Sequence, residues 1–220
     1  MHTSLSRMRP LIVLGMIALA ACQPTDKNQA PTGVVAKAMD EAAKGLGEAS
    51  QEMDKAREEI ATARDRLARE NISLYRNEKQ HLPKAEITPA GDLLIEGKAV
   101  ATTPEQKALV LAYRGELLGV VGDGMAIGME GARVGIDAAA SALKGVLAGQ
   151  DGDQIGKQVG EQAKAKIQPM VAQLCTRLPG LLSAQQALSA ALPEFAPYAT
   201  MDQADVDDCG DANGDGNWTF

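Results

Sequence analysis

Residues 85–106 read AEITPAGDLLIEGKAVATTPEQ, and this stretch decides the class of the fold. Two short apolar runs, Ala85–Thr88 and Leu93–Gly97, flank the turn-forming sequence Pro89-Ala90-Gly91-Asp92. Apolar runs of strand length on both sides of a Pro/Gly turn predict a β-hairpin. A small antiparallel sheet is therefore expected in the middle of the chain.

The surrounding residues predict two further strands and the start of a helix. A turn at Gly97-Lys98 leads to a strand through Ala99 to Thr102, and Ile72–Tyr75 supplies strand-like residues upstream. Thr103-Pro104-Glu105-Gln106 combines an N-cap hydroxyl, a proline at the first helical position and a glutamine placed to return a capping-box hydrogen bond. A helix is expected to begin there.

A heptad pattern occupies residues 34–70, upstream of the sheet. Apolar residues recur every seven positions, and alanine follows three residues after each of the first four. We call these apolar residues the heptad stripe: Met39, Leu46, Met53, Ile60 and Leu67. An a/d pattern sustained over four heptads predicts a long amphipathic helix that packs along one narrow face. A coiled coil between chains and a helix lying on its own domain use the same stripe, so both alternatives stay open.

Small residues dominate the segment after Gln106. They recur every three or four positions and form what we call the glycine row: Gly124, Gly128, Gly131, Gly135, Ala138, Ala142, Gly145 and Gly149. Each glycine inside a helix costs about 1 kcal/mol relative to alanine, so close packing against another helix has to offset the cost. The row therefore predicts a helical hairpin with a thin seam. Charged residues interrupt the segment every few positions, which argues against a membrane span.

The return helix is expected from about Gln154 to Leu178, kinked or divided at Pro169, with a shorter helix from Ser183 to Leu192. The predicted fold class is α+β and mainly α. It consists of a long N-terminal heptad helix, a small antiparallel β-sheet and a glycine-rich helical body.

The first 22 residues predict export and lipidation. Two arginines precede a ten-residue apolar run, Leu11–Ala20, which is about half the roughly 20 residues of a spanning helix. Leu19-Ala20-Ala21-Cys22 fits a bacterial lipobox, so residues 1–21 are expected to be a signal peptide and Cys22 the lipidated N-terminus. Residues 22–33 then form a flexible tether to the folded part. Gln23 after the cysteine favours the outer membrane, on its periplasmic face.

Cys175 and Cys209 are the two cysteines left once Cys22 carries lipid. In an oxidising compartment two such cysteines favour a disulfide. Two buried thiols or a metal pair are the alternatives. They are weaker because CxxC spacing is absent and His81 is the single histidine after residue 21.

Composition and motifs narrow the functional classes. Without residues 1–21 the chain keeps 20 basic and 29 acidic residues, a net charge of about −9, which disfavours nucleic acid as a partner. No catalytic set, nucleotide loop or cofactor motif is recognised, and His81 lies in a polar linker where a solvated role is expected. Asp211–Gly216 matches the first half of an EF-hand loop but lacks its closing glutamate, so no metal site is predicted within the tail of residues 210–220.

Parts of the sequence resemble the YggN-like family of exported Gram-negative bacterial proteins. The resemblance rests on Asn71–Leu74, Ala85–Val100 and Thr103–Gln106, and on Leu174-Cys175, Phe195–Tyr198 and Asp208-Cys209 near the end. It covers residues 71–209, implies a periplasmic protein and supports pairing of the two cysteines. No catalytic residue follows from it, and the lipobox and heptad helix are departures from it.

The sequence thus predicts a lipid-anchored envelope protein without enzymatic activity or cofactor. Its expected contacts are the membrane, through the anchor, and a protein partner or a second copy, through the heptad stripe or the glycine row. The alternative is a periplasmic carrier of an apolar or lipidic ligand, held between the sheet and the glycine-rich helices.

Overall fold

The computed structural model describes residues 33–74 and 82–210. The expected signal peptide, Cys22, the tether up to residue 32, His81 and the tail from residue 211 lie outside the described residues. The elements, in chain order, are α1 (Gly33–Arg69), β1 (Ile72–Ser73), β2 (Ala85–Ile87), β3 (Leu93–Ile95), β4 (Lys98–Ala99), α2 (Pro104–Leu147), α3 (Gly152–Ala191), a 3₁₀ turn (Ala196–Tyr198) and α4 (Gln203–Asp207). The predicted class, α+β and mainly α with one small sheet, is confirmed.

The four strands form an antiparallel meander in the order β1-β2-β3-β4. The predicted hairpin joins β2 to β3, and Gly91 supplies the left-handed backbone (φ 84°) that its turn requires. Glu96 and Gly97, both with positive φ, make the two-residue turn between β3 and β4. The outer strands are shorter than predicted: β1 ends at Ser73 and β4 at Ala99, because after Ala99 the chain turns towards the start of α2.

One face of the sheet supplies a large part of the core. Ile72 lies opposite Ile87, and Ile87 lies opposite Leu93, so three buried side chains stand in one row across three strands. They pack on the first turns of α2, the last turns of α3 and the 3₁₀ turn. Tyr113 and Phe195 meet edge to face there, with ring centroids 5.1 Å apart. The core therefore sits at one end of the long helices.

The predicted capping box starts α2. The Thr103 hydroxyl accepts from the backbone N–H of Gln106 at 3.2 Å, and the Gln106 Oε1 accepts from the N–H of Thr103 at 2.9 Å. The same glutamine donates through Nε2 to the carbonyl of Ala191 at 2.7 Å, at the last residue of α3. One side chain thus caps the start of α2 and ties it to the end of α3.

Helices α2 and α3 form the expected antiparallel hairpin. Arg177 pairs with Asp123 near its middle, and Lys166 pairs with Asp137 farther out. Of the expected kink or division at Pro169, the division does not occur, and the separate helix from Ser183 to Leu192 was a wrong prediction: one helix runs unbroken from Gly152 to Ala191 through both Pro169 and Pro179. A proline inside a helix costs about 3 kcal/mol. Around Pro179 the burial of four leucines on the core side offsets that cost: Leu178, Leu181, Leu182 and Leu188.

The heptad pattern correctly predicts a helix, and α1 lies along α2 of the same chain. Arg64 of α1 donates through Nη2 to the carbonyl of Gly122 at 2.8 Å, while Arg114 of α2 reaches the carbonyl of Leu67. These two contacts show that α1 runs antiparallel to α2. The start of α1 therefore lies towards the α2–α3 turn, away from the sheet.

Arg114 joins three elements from the buried face of α2, with only 4 % of its surface exposed. Its Nη1 donates to the carbonyl of Ile87 at 3.0 Å. Its Nη2 donates to the carbonyls at the end of α1, namely Leu67 at 2.7 Å, Ala68 at 3.3 Å and Glu70 at 2.9 Å. Burial lowers the pKa of Arg114. A cation at this position also complements the negative end of the α1 dipole.

The predicted disulfide joins Cys175 in α3 to Cys209, just after α4. It closes a loop with a sequence separation of 34 residues, which corresponds to about 3 to 4 kcal/mol in the chain-entropy account. Gln185 supports the same segment by bonding both the N–H and the carbonyl of Met201. The pairing ties the C-terminal segment to the middle of α3.

Replacing Arg114 with methionine is expected to lower the free energy of unfolding by about 2 to 4 kcal/mol, because the carbonyl of buried Ile87 and three carbonyls at the end of α1 lose their donor. Chemical denaturation followed by circular dichroism measures the change. Arg66→Met is the matched control, since Arg66 is an exposed arginine on α1, and it should shift stability by less than about 0.5 kcal/mol. Equal stability of the two variants would contradict the role of Arg114.

Candidate functional site

The prediction that the glycine row forms the seam of the hairpin was wrong for its first four glycines, whereas Gly145, near the end of the row, does lie in the seam. Gly124, Gly128, Gly131 and Gly135 are exposed, and a Cβ built at any of them meets no atom within 4 Å. The period of three to four residues correctly placed these glycines on one helix face. That face points to solvent, and larger residues such as Val134 are buried instead.

Two glycines mark the close approach of α2 and α3, namely Gly145 of the glycine row and Gly119 outside it. A Cβ at Gly145 would come within 2.5 Å of Ile155 Cδ1, and one at Gly119 within 2.9 Å of Arg177 Nη1. The Arg177 guanidinium covers Gly119 and donates through Nε to Asp123 at 2.8 Å. The hydrogen bond to Asp123 is the main reason that the pKa of Arg177 is raised. The contacts of Arg177 with Gly119 and Asp123 hold α2 and α3 together at this point.

The heptad stripe packs within the chain. Met53 is buried at 8 % exposure, and Met39, Leu46, Ile60 and Leu67 are half-buried. Of the two arrangements that the sequence left open, packing on its own domain is the one that α1 adopts. The stripe stabilises the contact of α1 with α2, and the five residues are brought together along one helix face.

A groove of about 310 Å³ opens where α1, α2 and α3 meet. Its apolar lining comes from all three helices: Ile60, Ala61, Ala126, Met129 and Met170. Methionine adapts its shape readily, so this lining can follow a flexible apolar chain. The volume lies at the lower end of the range for small-molecule sites.

The polar lining of the groove is mostly basic. Three arginines, Arg57, Arg64 and Arg133, contribute to it, together with one carboxylate, Glu130. Arg57 pairs with Asp54 at 2.9 Å in an exposed contact, and Arg64 holds the carbonyl of Gly122. Within residues 33–74 and 82–210, Arg133 and Glu130 form no ion pair. A basic groove in a chain of net charge −7 is a local departure from the overall charge.

Sequence reasoning missed this groove, although part of its signal is in the heptad. Arg57 and Arg64 directly follow the seam alanines Ala56 and Ala63, so both flank the heptad stripe on the same side. Arg133 lies on α2, outside the heptad pattern of α1, so no sequence pattern pointed to it. The ligand space expected between sheet and helices is filled instead, since Ile87, Leu93 and Val110 are fully buried there.

In the part of the chain that the structure describes, no helix is long and apolar enough to cross a membrane. No group of three or more His, Cys, Asp or Glu side chains within the described ranges could hold a metal ion. The EF-hand-like residues Asp211–Gly216 lie outside those ranges.

No family model, curated protein or solved structure matches this chain. The resemblance of residues 71–209 to the YggN-like family therefore stays a prediction.

Replacing Gly128 with alanine is expected to raise the free energy of unfolding by about 0.5 to 1 kcal/mol, because the new methyl group meets nothing and alanine favours the helix. Gly145→Ala is the matched variant on the same helix. There the methyl group would strike buried Ile155, so stability should fall by about 1 kcal/mol despite the better propensity. Thermal or chemical denaturation compares the two variants, and a shift in the same direction for both would refute the placement of the glycine row.

Proposed function

We propose that the protein is a lipid-anchored envelope protein with a non-enzymatic interaction role, held through Cys22 on the periplasmic face of the outer membrane. The exposed glycine face of α2, formed by Gly124, Gly128, Gly131 and Gly135, is the surface that meets a partner helix. The partner is a helix of another envelope protein or of a second copy of this chain.

The free-energy cost of the glycines supports this proposal. Four exposed glycines inside α2 cost about 4 kcal/mol together relative to alanine. Since no atom of the described chain lies within 4 Å of where their Cβ atoms would be, no intramolecular contact offsets the cost. A helix from another molecule could approach this backbone closely and offset the free-energy cost of the glycines through van der Waals and Cα–H···O contacts.

The direction of α1 supports the anchor. Its 37 residues span about 55 Å, and its first residue lies at the end of the helical hairpin farthest from the sheet. The ten residues between Cys22 and Gly33 give eleven Cα–Cα steps, which reach at most about 40 Å. An anchor at Cys22 would therefore hold the α2–α3 turn near the membrane and direct the sheet towards the periplasm.

The anchor is tested by growing cells with labelled palmitate. The parent protein should carry label, and Cys22→Ser should carry none, because Cys22 is the proposed acylation site. Cys175→Ser is the control, since it removes a cysteine of the disulfide and should leave labelling unchanged. An unlabelled parent, or label retained by Cys22→Ser, would overturn the anchor.

The interaction surface is tested by in-cell photocrosslinking from Ala132, an exposed residue next to the glycine row. We expect a defined adduct whose yield falls at least about fivefold in Gly128→Leu, because a leucine side chain blocks close approach at a position where an added Cβ meets no atom within 4 Å. Gly160→Leu is the matched control, because Gly160 is an equally open glycine on α3. The absence of an adduct, or an adduct insensitive to Gly128→Leu, would reject the proposal.

A second candidate function is carriage of an apolar or lipidic ligand. It is favoured by the groove at the meeting of α1, α2 and α3, whose lining combines Ile60, Met129 and Met170 with three arginines. Mass spectrometry of protein purified without denaturation should find co-purifying lipid if the protein acts as a carrier in the cell.

A further inference from the structure

We infer that the groove at the meeting of α1, α2 and α3 is a binding site for a single-chain amphiphile with an anionic head group, a carboxylate or a phosphate monoester. The inference deepens the second candidate function and rests on it for physiological meaning. It is independent of the glycine face, so either surface can fail its test without the other.

The chemistry of the lining selects the class of ligand. Arg57, Arg64 and Arg133 provide guanidinium groups with several N–H donors each, and such groups match carboxylate and phosphate oxygens. Ile60, Met129 and Met170 provide apolar surface from three different helices. A ligand that satisfies both halves carries a negative head and a hydrocarbon chain. A bare anion would leave the apolar half wet, and a neutral hydrocarbon would leave the arginines unused.

The volume of the groove limits the size of the ligand. About 310 Å³ corresponds to some ten water molecules at roughly 30 Å³ each, and a methylene group is of similar size. One alkyl chain of about ten carbons fills that volume, and a second chain would lie outside it in water because the groove is open to solvent. The groove therefore suits a fatty acid or an alkyl phosphate in preference to a two-chain phospholipid.

The charges around the groove favour an anion at its mouth. Arg57 is shared with Asp54 in an exposed pair, with half of the arginine side chain open to solvent. Arg133 has no acidic partner in the described chain and is free to contact a head group. Glu130, the one carboxylate of the lining, opposes an anion and sets an upper limit on affinity. With Asp54 counted beside Glu130, three positive groups stand against two negative groups, which leaves a net positive charge.

Isothermal titration of the mature full-length chain tests the site, with Cys22→Ser so that no anchor lipid or detergent competes. The probes are dodecanoate and dodecyl phosphate below their micelle concentrations, with dodecanol and acetate as the neutral-head and head-only controls. Both anionic probes should bind at least about tenfold more tightly than either control. Equal binding of dodecanol, or no binding of the anionic probes, would overturn the inference.

Variants with opposite effects separate the site from general damage. Arg133→Gln should weaken dodecanoate binding about tenfold, because it removes a charge-assisted contact. Glu130→Gln should strengthen binding about two- to fivefold, because it removes the opposing charge. Arg66→Gln, with the same change at an exposed arginine of α1 outside the groove, should have no effect. Equal affinities of the Arg133 and Arg66 variants would contradict the assignment.

Two further measurements identify the source of the ligand. Filling the groove from its open side with Ala61→Leu should abolish binding of dodecanoate, while Ala43→Leu, at an exposed alanine elsewhere on α1, should not. Flotation with phosphatidylglycerol vesicles should show no dependence on Arg133. Flotation that is lost in Arg133→Gln would mean that the groove binds the head groups of a bilayer. That result would overturn the inference of a site for a free amphiphile. Binding in solution without co-purifying lipid from cells would leave the site in place and reject the carrier function alone.

Discussion

The arrangement of the whole molecule depends on the buried guanidinium of Arg114. It is the point at which α1, the end of β2 and α2 are held in one geometry by hydrogen bonds to four backbone carbonyls. A lysine could not replace it. The two terminal nitrogens of the planar guanidinium reach Ile87 and the end of α1 separately, whereas a lysine has a single ammonium nitrogen. The last carbonyls of α1 have no partner within their own helix, so one side chain both terminates α1 and joins it to α2 and β2.

The position of α1 follows from this contact. With its end fixed beside Arg114, the remaining residues of α1 can only run back along α2, and Arg64 on Gly122 confirms that direction. The heptad stripe is then turned inwards, with Met53 buried. The residues next to the stripe, Arg57 and Arg64, lie at the border with α2 and α3, and the basic groove arises there. The groove is thus a consequence of how α1 is docked.

Local sequence patterns predicted the local structure well. The Thr103–Gln106 capping box, the hairpin around Gly91 and the heptad helix are each specified by residues a few positions apart. Arg114 could have been recognised, because it lies with Val110, Tyr113 and Leu117 at the spacing of one buried helix face, where a charge needs partners. Nothing local names those partners, which come from residues 27 to 47 positions away.

The errors came from features whose outcome depends on packing. A helical period identifies a face without saying whether it points inwards, and the four exposed glycines from Gly124 to Gly135 were placed in the seam for that reason. Pro169 was expected to kink or divide the return helix because a proline weakens a helix locally. The core around Leu178, Leu181 and Leu182 keeps the helix continuous, and its burial energy cannot be deduced from the neighbours of a proline in sequence.

The two surfaces proposed for α2 are compatible because they lie on different sides of the helix. Gly128 and Arg133 are five residues apart, which places them about 140° apart around the helix axis. A partner helix on the glycine face would therefore leave the mouth of the groove accessible. If the anchor holds the α2–α3 turn near the membrane, both surfaces lie along the helices between the bilayer and the sheet. Coupling between the two surfaces would then pass through α2 itself, where the exposed glycines lower the intrinsic helix propensity.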